Sequence, residues 1–350
     1  MNGVRFLAGL RARYPLAAFV AGRVTSMAFM LFFLGLAVFG LMKLAPGDVV
    51  ENYVRSQMMM ESSFRTRDNV YTEEAIAEAK RLLGLDRPFY AQYLRWLRQV
   101  VVERDLGRSL ISRAPILFLI RQRMVNSLVL NVIELVFLTA ASFALGIYFS
   151  SKVGTRLDTI AAFVALALHA FPGILLLILL QLFASVTGLF PITAYPDFPY
   201  HEAPLRFVGA YLYHIALPLL GAFLGGIGGT MRMIRATMLD QLGQPYITSV
   251  RSRGVDEGRI HFAHAFRNAL NPYITSSANL FAGLFSGSLI LEIIFSYPGI
   301  GRLMYEAVRQ EDVNLVLANI MFISFLILVG MVVADITLAL IDPRIRYGHL

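Results

Sequence analysis

Six stretches of the chain run for roughly 18 residues or more with almost no charged side chain, the length a helix needs to cross a hydrocarbon layer. Residues 24–42 lie between Arg23 and Lys43, and residues 124–151 contain only Glu134. The third stretch begins at Thr159 and stays uncharged to Pro196, with Gly188 to Pro196 reading as a loop. Residues 207–231, 268–291 and 313–334 complete the set. Six buried helices of this kind in a soluble protein would need far more polar wrapping than the chain carries, so each reads as a transmembrane helix. The pattern predicts an all-α integral membrane protein with six spans.

Between spans one and two the pattern changes. Residues 43–123 read as a water-exposed helical segment, too small for an enzyme domain and suited to capping an entrance. Thr72 can cap a helix with Glu73 and Glu74 in its first turn, Lys80 and Arg81 in its last, and Gly84 as its stop. Pro88 opens a second helix carrying Phe89, Tyr90, Tyr93, Trp96 and Leu97. That aromatic band either rests at the lipid–water interface or packs on the other helices.

Composition agrees with the spans. Of 350 residues, 57% are hydrophobic and 15% charged, against about 25% charged in an ordinary soluble domain. The mean hydropathy is +0.63. Cysteine is absent, which excludes disulfides and thiolate metal sites. The net charge of +8 suggests either nucleic acid or cytoplasmic membrane flanks, and its placement decides. With the N-terminus inside, the short inner segments hold Arg5, Arg11, Arg13, Arg23, Lys152, Arg156, Arg232, Arg235, Arg251, Arg253, Arg259, Arg267, Arg344 and Arg346. The short outer loops hold Arg206, Arg302 and Arg309. Both termini are therefore expected in the cytoplasm. The basic flank, the apolar run and the poor cleavage site at Lys43-Leu44-Ala45-Pro46 make span one an uncleaved helix rather than a signal peptide.

Several chemistries are missing from the sequence. The lysines are Lys43, Lys80 and Lys152, and none is followed by Ser or Thr, so there is no conventional phosphate loop. Neither His-Glu-x-x-His nor Gly-x-Ser-x-Gly occurs, and His261 with His264 read as surface residues of a basic loop rather than metal ligands. Within the spans, Glu134 is either a pathway carboxylate or a helix-bridging one. Asn131, His169, Gln181, His214 and Asn279 either line a path or bridge helices. Gly221, Gly225 and Gly229, with Gly226 and Gly228, give span four a face for close helix contact.

The longest inner loop, residues 232–267, is helix-compatible over 235–242 and 246–253. It is broken at Gly243-Gln244-Pro245 and again at Gly254, before Asp256 and Glu257 open a third stretch ending before Pro272. A short amphipathic helix projecting from a bundle suits docking to a cytosolic partner.

Separated stretches carry a family likeness. They are the exit of span one at Ala45-Pro46-Gly47-Asp48, LLGLDRPFYAQYLRWL followed by DLGRSL, the loop YITSVRSRGVDEGRIHFAHAFRNALNP, FSYPGIGRLMYEAV, and the ending LIDPRIRYG. Together they resemble the membrane-spanning permease subunits of binding-protein-dependent ABC importers, in the oligopeptide/dipeptide/nickel family, over nearly the whole chain. The resemblance implies a second permease subunit, two cytoplasmic ATPases that bind ATP and Mg2+, and an extracytoplasmic solute-binding protein, with no cofactor, metal or nucleic acid on this chain. It implies a bacterial-type inner membrane location. It makes residues 246–259 the ATPase-coupling segment, with Tyr246, Thr248, Ser249, Arg251, Arg253, Gly254, Val255, Asp256, Glu257 and Arg259 as its contact residues. The importer signature opens with Glu-Ala-Ala where Thr248-Ser249-Val250 stands here. The stretch from Glu51 to Thr72, with Met58, Met59 and Met60, is longer than usual for the family. An ion-coupled secondary transporter and a membrane-embedded hydrolase are the competing classes. The first predicts inverted repeats that the sequence does not show, and the second lacks its nucleophile and metal motifs.

Overall fold

The computed structural model describes residues 15–44, 88–275, 283–284 and 288–341. Among the described residues there is no strand, only an isolated bridge between Arg108 and Pro115. The helices are α1 (Pro15–Leu44), α2 (Phe89–Arg98), α3 (Ile116–Ser150), α4 (Arg156–Ala170), α5 (Gly173–Thr187), α6 (Pro204–Leu242), α7 (Pro245–Ser252), α8 (Glu257–Arg259), α9 (Phe266–Ala269), α10 (Asn271–Thr275), α11 (Leu289–Ile294), α12 (Ile300–Arg309) and α13 (Val313–Ile341). Where lipid replaces water, each backbone N–H and C=O must be satisfied within its own segment, which a helix does.

Among the described residues, four helical stretches are long and apolar enough to cross a membrane: Phe19–Leu41, Ile116–Ser150, Pro204–Leu242 and Val313–Ile336. The third predicted span is not one straight helix. It is the pair α4 and α5, bent by 92°. Phe171 takes an extended conformation at φ −74°, ψ 130°, because the ring of Pro172 disfavours a helical residue before it. Counted as one, the pair makes five candidate spans. The stretch at 268–291 holds α9 and α10, and residues 276–282 and 285–287 lie outside the described residues. So do Asn279, the Thr72 helix, the insertion at 51–72 and the ending at 342–350.

The chain forms two compact units, one of residues 1–125 with 300–350 and one of residues 126–299. In the first, α1 lies beside α13, with Arg23 Nε 3.1 Å from Asp335 Oδ2. The aromatic helix α2 packs on α1 through Tyr93, which is fully buried. Its hydroxyl donates to the Phe32 carbonyl at 2.9 Å, and Gly35 leaves room for the ring, since a Cβ there would strike it. Asp312 caps α13 by accepting from Leu315 N–H at 3.1 Å. The same carboxylate accepts from Ser109 Oγ at 2.5 Å and from Leu110 N–H at 3.2 Å, anchoring the loop after α2.

The second unit is arranged around α6. Its glycines face three neighbours: Gly221 meets Leu177 and Leu180 of α5, Gly226 meets Leu138 of α3, and Gly228 sits against the Ala165 carbonyl of α4. Gly225 faces open space. The glycine face therefore serves close packing at three of its positions. Outward side chains such as Phe163, 71% exposed, remain for lipid or protein neighbours.

A Gly228→Val variant should lower the thermal midpoint in detergent, because its Cβ meets backbone that cannot turn aside; such overpacking costs about 1–3 kcal/mol or more. Gly225→Ala should leave the midpoint unchanged or raise it, since helix propensity favours alanine by roughly 0.5–1 kcal/mol.

Candidate functional site

Helix α6 has 39 residues and so extends about 58 Å, well beyond a hydrocarbon core of about 30 Å. Its last turns, 232–242, continue the helix without a break, so the loop expected to begin at Arg232 leaves it at Gly243 instead. Pro245 then starts α7 at the first helical position, where a missing N–H costs nothing. Ile247 is fully buried and Val250 half-buried, one turn apart on one face. They join Ile147, Ile234, Met238, Ile260, Ala265 and Ala269 in a single apolar cluster. Thr248, Ser249, Arg251 and Arg253 occupy the exposed side.

Gly254 ends α7 at φ +77°, donating its N–H to the Arg251 carbonyl at 3.0 Å. Open space surrounds the position of a Cβ there, so the glycine is required for its backbone conformation alone. Val255 tucks back onto the apolar cluster. Asp256 caps the next helix, its carboxylate accepting from Gly258 N–H at 2.9 Å. The helix runs from α8 through a widened turn, Ile260–Ala265, in which Phe266 N–H reaches the His261 carbonyl five residues back. Turns of this i+5 kind recur where a helix must re-aim side chains.

Polar ties hold the segment together. Arg251 Nη2 donates to Glu257 Oε2 at 3.1 Å, beside a second bond from Nε to Oε1. That guanidinium holds the Glu257 carboxyl below its usual range, and the carboxylate in turn raises Arg251. A depressed carboxyl contributes above its unfolded pKa and is lost as pH falls through its folded one, so this clasp is present at neutral pH and opens only in acid. The Tyr246 hydroxyl donates to Gln241 Oε1 at 3.0 Å and accepts from Asn268 Nδ2 at 3.1 Å, joining α7 to α6 and α9. Arg259 is exposed. All ten coupling residues expected from the sequence thus fall in one hairpin of helices.

The intramembrane polar residues are dispersed along the second unit. Asn131 donates to the Leu284 carbonyl at 2.8 Å. Gln181 donates to the Ile294 carbonyl at 2.5 Å, and His214 Nδ1 lies 2.7 Å from the Thr193 carbonyl. These three meet backbone of other segments, the bridging geometry. His169 is exposed beside Gly229. Glu134 is half-buried on the stripe of α3 that carries Ser127, Leu130, Asn131 and Leu138.

Two features escaped the sequence reading. Asp158, buried in the first turn of α4, is gripped by Arg235, which had counted only as an orientation charge. Its signal was the pair Thr155 and Asp158 at capping spacing, and Thr155 Oγ1 does accept from Asp158 N–H at 3.3 Å. The other is the buried Glu292, which accepts from Ser127 Oγ at 2.7 Å and against which Gly299 is pressed. Next to it Tyr297 is fully buried, donating to the Asn126 carbonyl at 2.6 Å. These contacts explain the local chemistry of Phe295 to Gly299, where only a glycine fits beside the carboxylate.

Apolar helices of this length mark a multi-pass membrane protein. Residues 142–347 match the family described as Binding-protein-dependent transport system inner membrane component, and residues 16–144 match the corresponding N-terminal family. The chain belongs to this family of binding-protein-dependent ABC importer permeases, multi-pass proteins of the bacterial inner membrane. It is similar to the oligopeptide transport system permease protein AppB of Bacillus subtilis, 30% identical over 341 residues and covering 95% of this chain and 100% of the relative. It is 29% identical over 348 residues to the di/tripeptide transport system permease protein DppB of Pseudomonas aeruginosa, covering 94% and 99%. The inner membrane ABC transporter permease protein YejB of Escherichia coli O157:H7 is 30% identical over 279 residues, covering 78% and 76%.

Gly254→Val should strain the turn by roughly 1–2 kcal/mol, the cost of a left-handed conformation for an L side chain. Hydrogen exchange should quicken at the amides of 253–258 while the overall helix content is unchanged.

Proposed function

We propose that the chain is one of two permease subunits of an ATP-driven importer of peptides, with six spans, both termini in the cytoplasm and α7 as its coupling helix. The observation that carries this reading is the hairpin of α7 and α8: buried on one face by Ile247, Val250 and Val255, charged and exposed on the other, and stopped at Gly254. The exposed face of α7 enters a groove on one of two cytoplasmic ATPases, which hold ATP and Mg2+. The chain itself lacks a phosphate loop. ATP binding draws the two coupling helices together and tilts the spans to open the outer side. A binding protein then delivers its solute, and hydrolysis resets the inward state. The permease need only make different contacts in two states, which is all that alternating access requires. The similarity to oligopeptide and di/tripeptide transport permeases favours peptide as the substrate.

The test is to purify the tagged chain from its native membrane and identify what accompanies it. A second permease and two ATPases are expected, and the associated binding protein should bind peptides in preference to oligosaccharides, glutathione or nickel. Ion-driven uptake by the chain alone would overturn the importer reading; preference for one of the other solutes would overturn only the substrate. Gly254→Trp should reduce recovery of the ATPases on the order of ten-fold or more while the helices remain inserted, and unchanged recovery would count against α7 as the docking element.

A further inference from the structure

Two side chains tie the docking end of α6 to the bent helix pair. Arg235 Nε donates to Asp158 Oδ1 at 2.7 Å and Nη2 to Oδ2 at 2.7 Å. The pair is largely out of solvent, with side chains 23% and 6% exposed. Gly154 N–H adds a third bond to the carboxylate at 3.3 Å, so Asp158 is fixed by its own loop as well as by α6. A buried ion pair is a poor source of stability, because desolvation offsets the attraction. What it supplies is a defined distance and orientation between two elements, here through the flat two-pronged fork of arginine.

Its position is informative. On α6, Ile227 and Met231 pack with Ala165 of α4. One turn further, Ile234 and Met238 pack instead with Ile247, Ile260 and Ala265 of the coupling segment. Arg235 therefore sits where α6 changes partner. On its C-terminal side, the linker of Gly243 and Gln244 and the tie from Gln241 to Tyr246 make α7 and the end of α6 one body. On the other side, Asp158 stands in the first turn of α4, which leads into the 92° bend before α5. Apolar contacts slide when a helix shifts, whereas a bidentate pair transmits the shift.

We propose that Asp158 and Arg235 are positioning residues that form the strut carrying displacement of the coupling helix into the bent pair α4–α5, so that opening of the path follows the state of the ATPases. This rests on the reading of α7 as the docking helix. Loss of the strut leaves docking intact and breaks its transmission.

The experiment uses the whole complex in liposomes and reads three quantities: ATPase co-purification, ATP hydrolysed and solute imported. Asp158→Asn and Arg235→Gln should retain the ATPases and hydrolyse ATP, while solute imported per ATP falls on the order of ten-fold. Arg235→Lys keeps the charge without the fork and should fall between them and the native protein. The exchanged pair Asp158→Arg with Arg235→Asp should recover transport above either single variant. Native yields of solute per ATP in the single variants would overturn the strut, as would a parallel loss of assembly, hydrolysis and transport at an unchanged ratio. Absence of ATPases from the unmodified complex would instead overturn the docking reading.

Discussion

In a lipid solvent apolar side chains gain nothing by leaving the tails for one another, so helices must be joined by close backbone approach and by polar ties. The middle of α6 supplies the first. Gly221, Gly226 and Gly228 let α5, α3 and α4 approach on three sides, the last down to a backbone carbonyl. The bent pair finds its seat on α6, and the polar groups of Asn131, Gln181 and His214 reach main-chain carbonyls of neighbouring segments instead of hydrocarbon.

The same helix then changes character. Beyond Met231 it carries Arg232 and Arg235, and its apolar partners change from α4 to the segment that follows it. Ile234 and Met238 gather Ile247 and Ile260 into a small apolar core, and the other face of α7 is exposed. One continuous helix thus joins the glycine contacts with α3, α4 and α5 to the apolar cluster that seats α7.

Much of this was legible in the residues. The all-helical class followed from the length of the uncharged runs, and the helices α7 and α8 followed from Pro245, Gly254 and Asp256, since proline, glycine and a capping acid act locally. The family followed from motifs scattered in order along the chain. The bend at Phe171 was missed although Pro172 announces it, because hydropathy measures length and not direction. Arg235 was read as a loop charge because counting charges on either side of a membrane says nothing of their partners. The grip of Gly299 on Glu292 had no local signal at all; it depends on where two turns of chain meet.

By itself, then, the sequence determined the solvent each segment prefers and the places where helices start and stop, because these depend on a residue and its near neighbours. It determined that Gly254 must turn the chain, since no other side chain accepts that backbone conformation so cheaply. Only the tertiary structure decided which glycine touches which helix, that three of the polar residues within the spans bond to backbone, and that Asp158 and Arg235, 77 residues apart, form a two-pronged ion pair. Those facts depend on distances between segments remote in the chain, and one-dimensional pattern carries no measure of such distances.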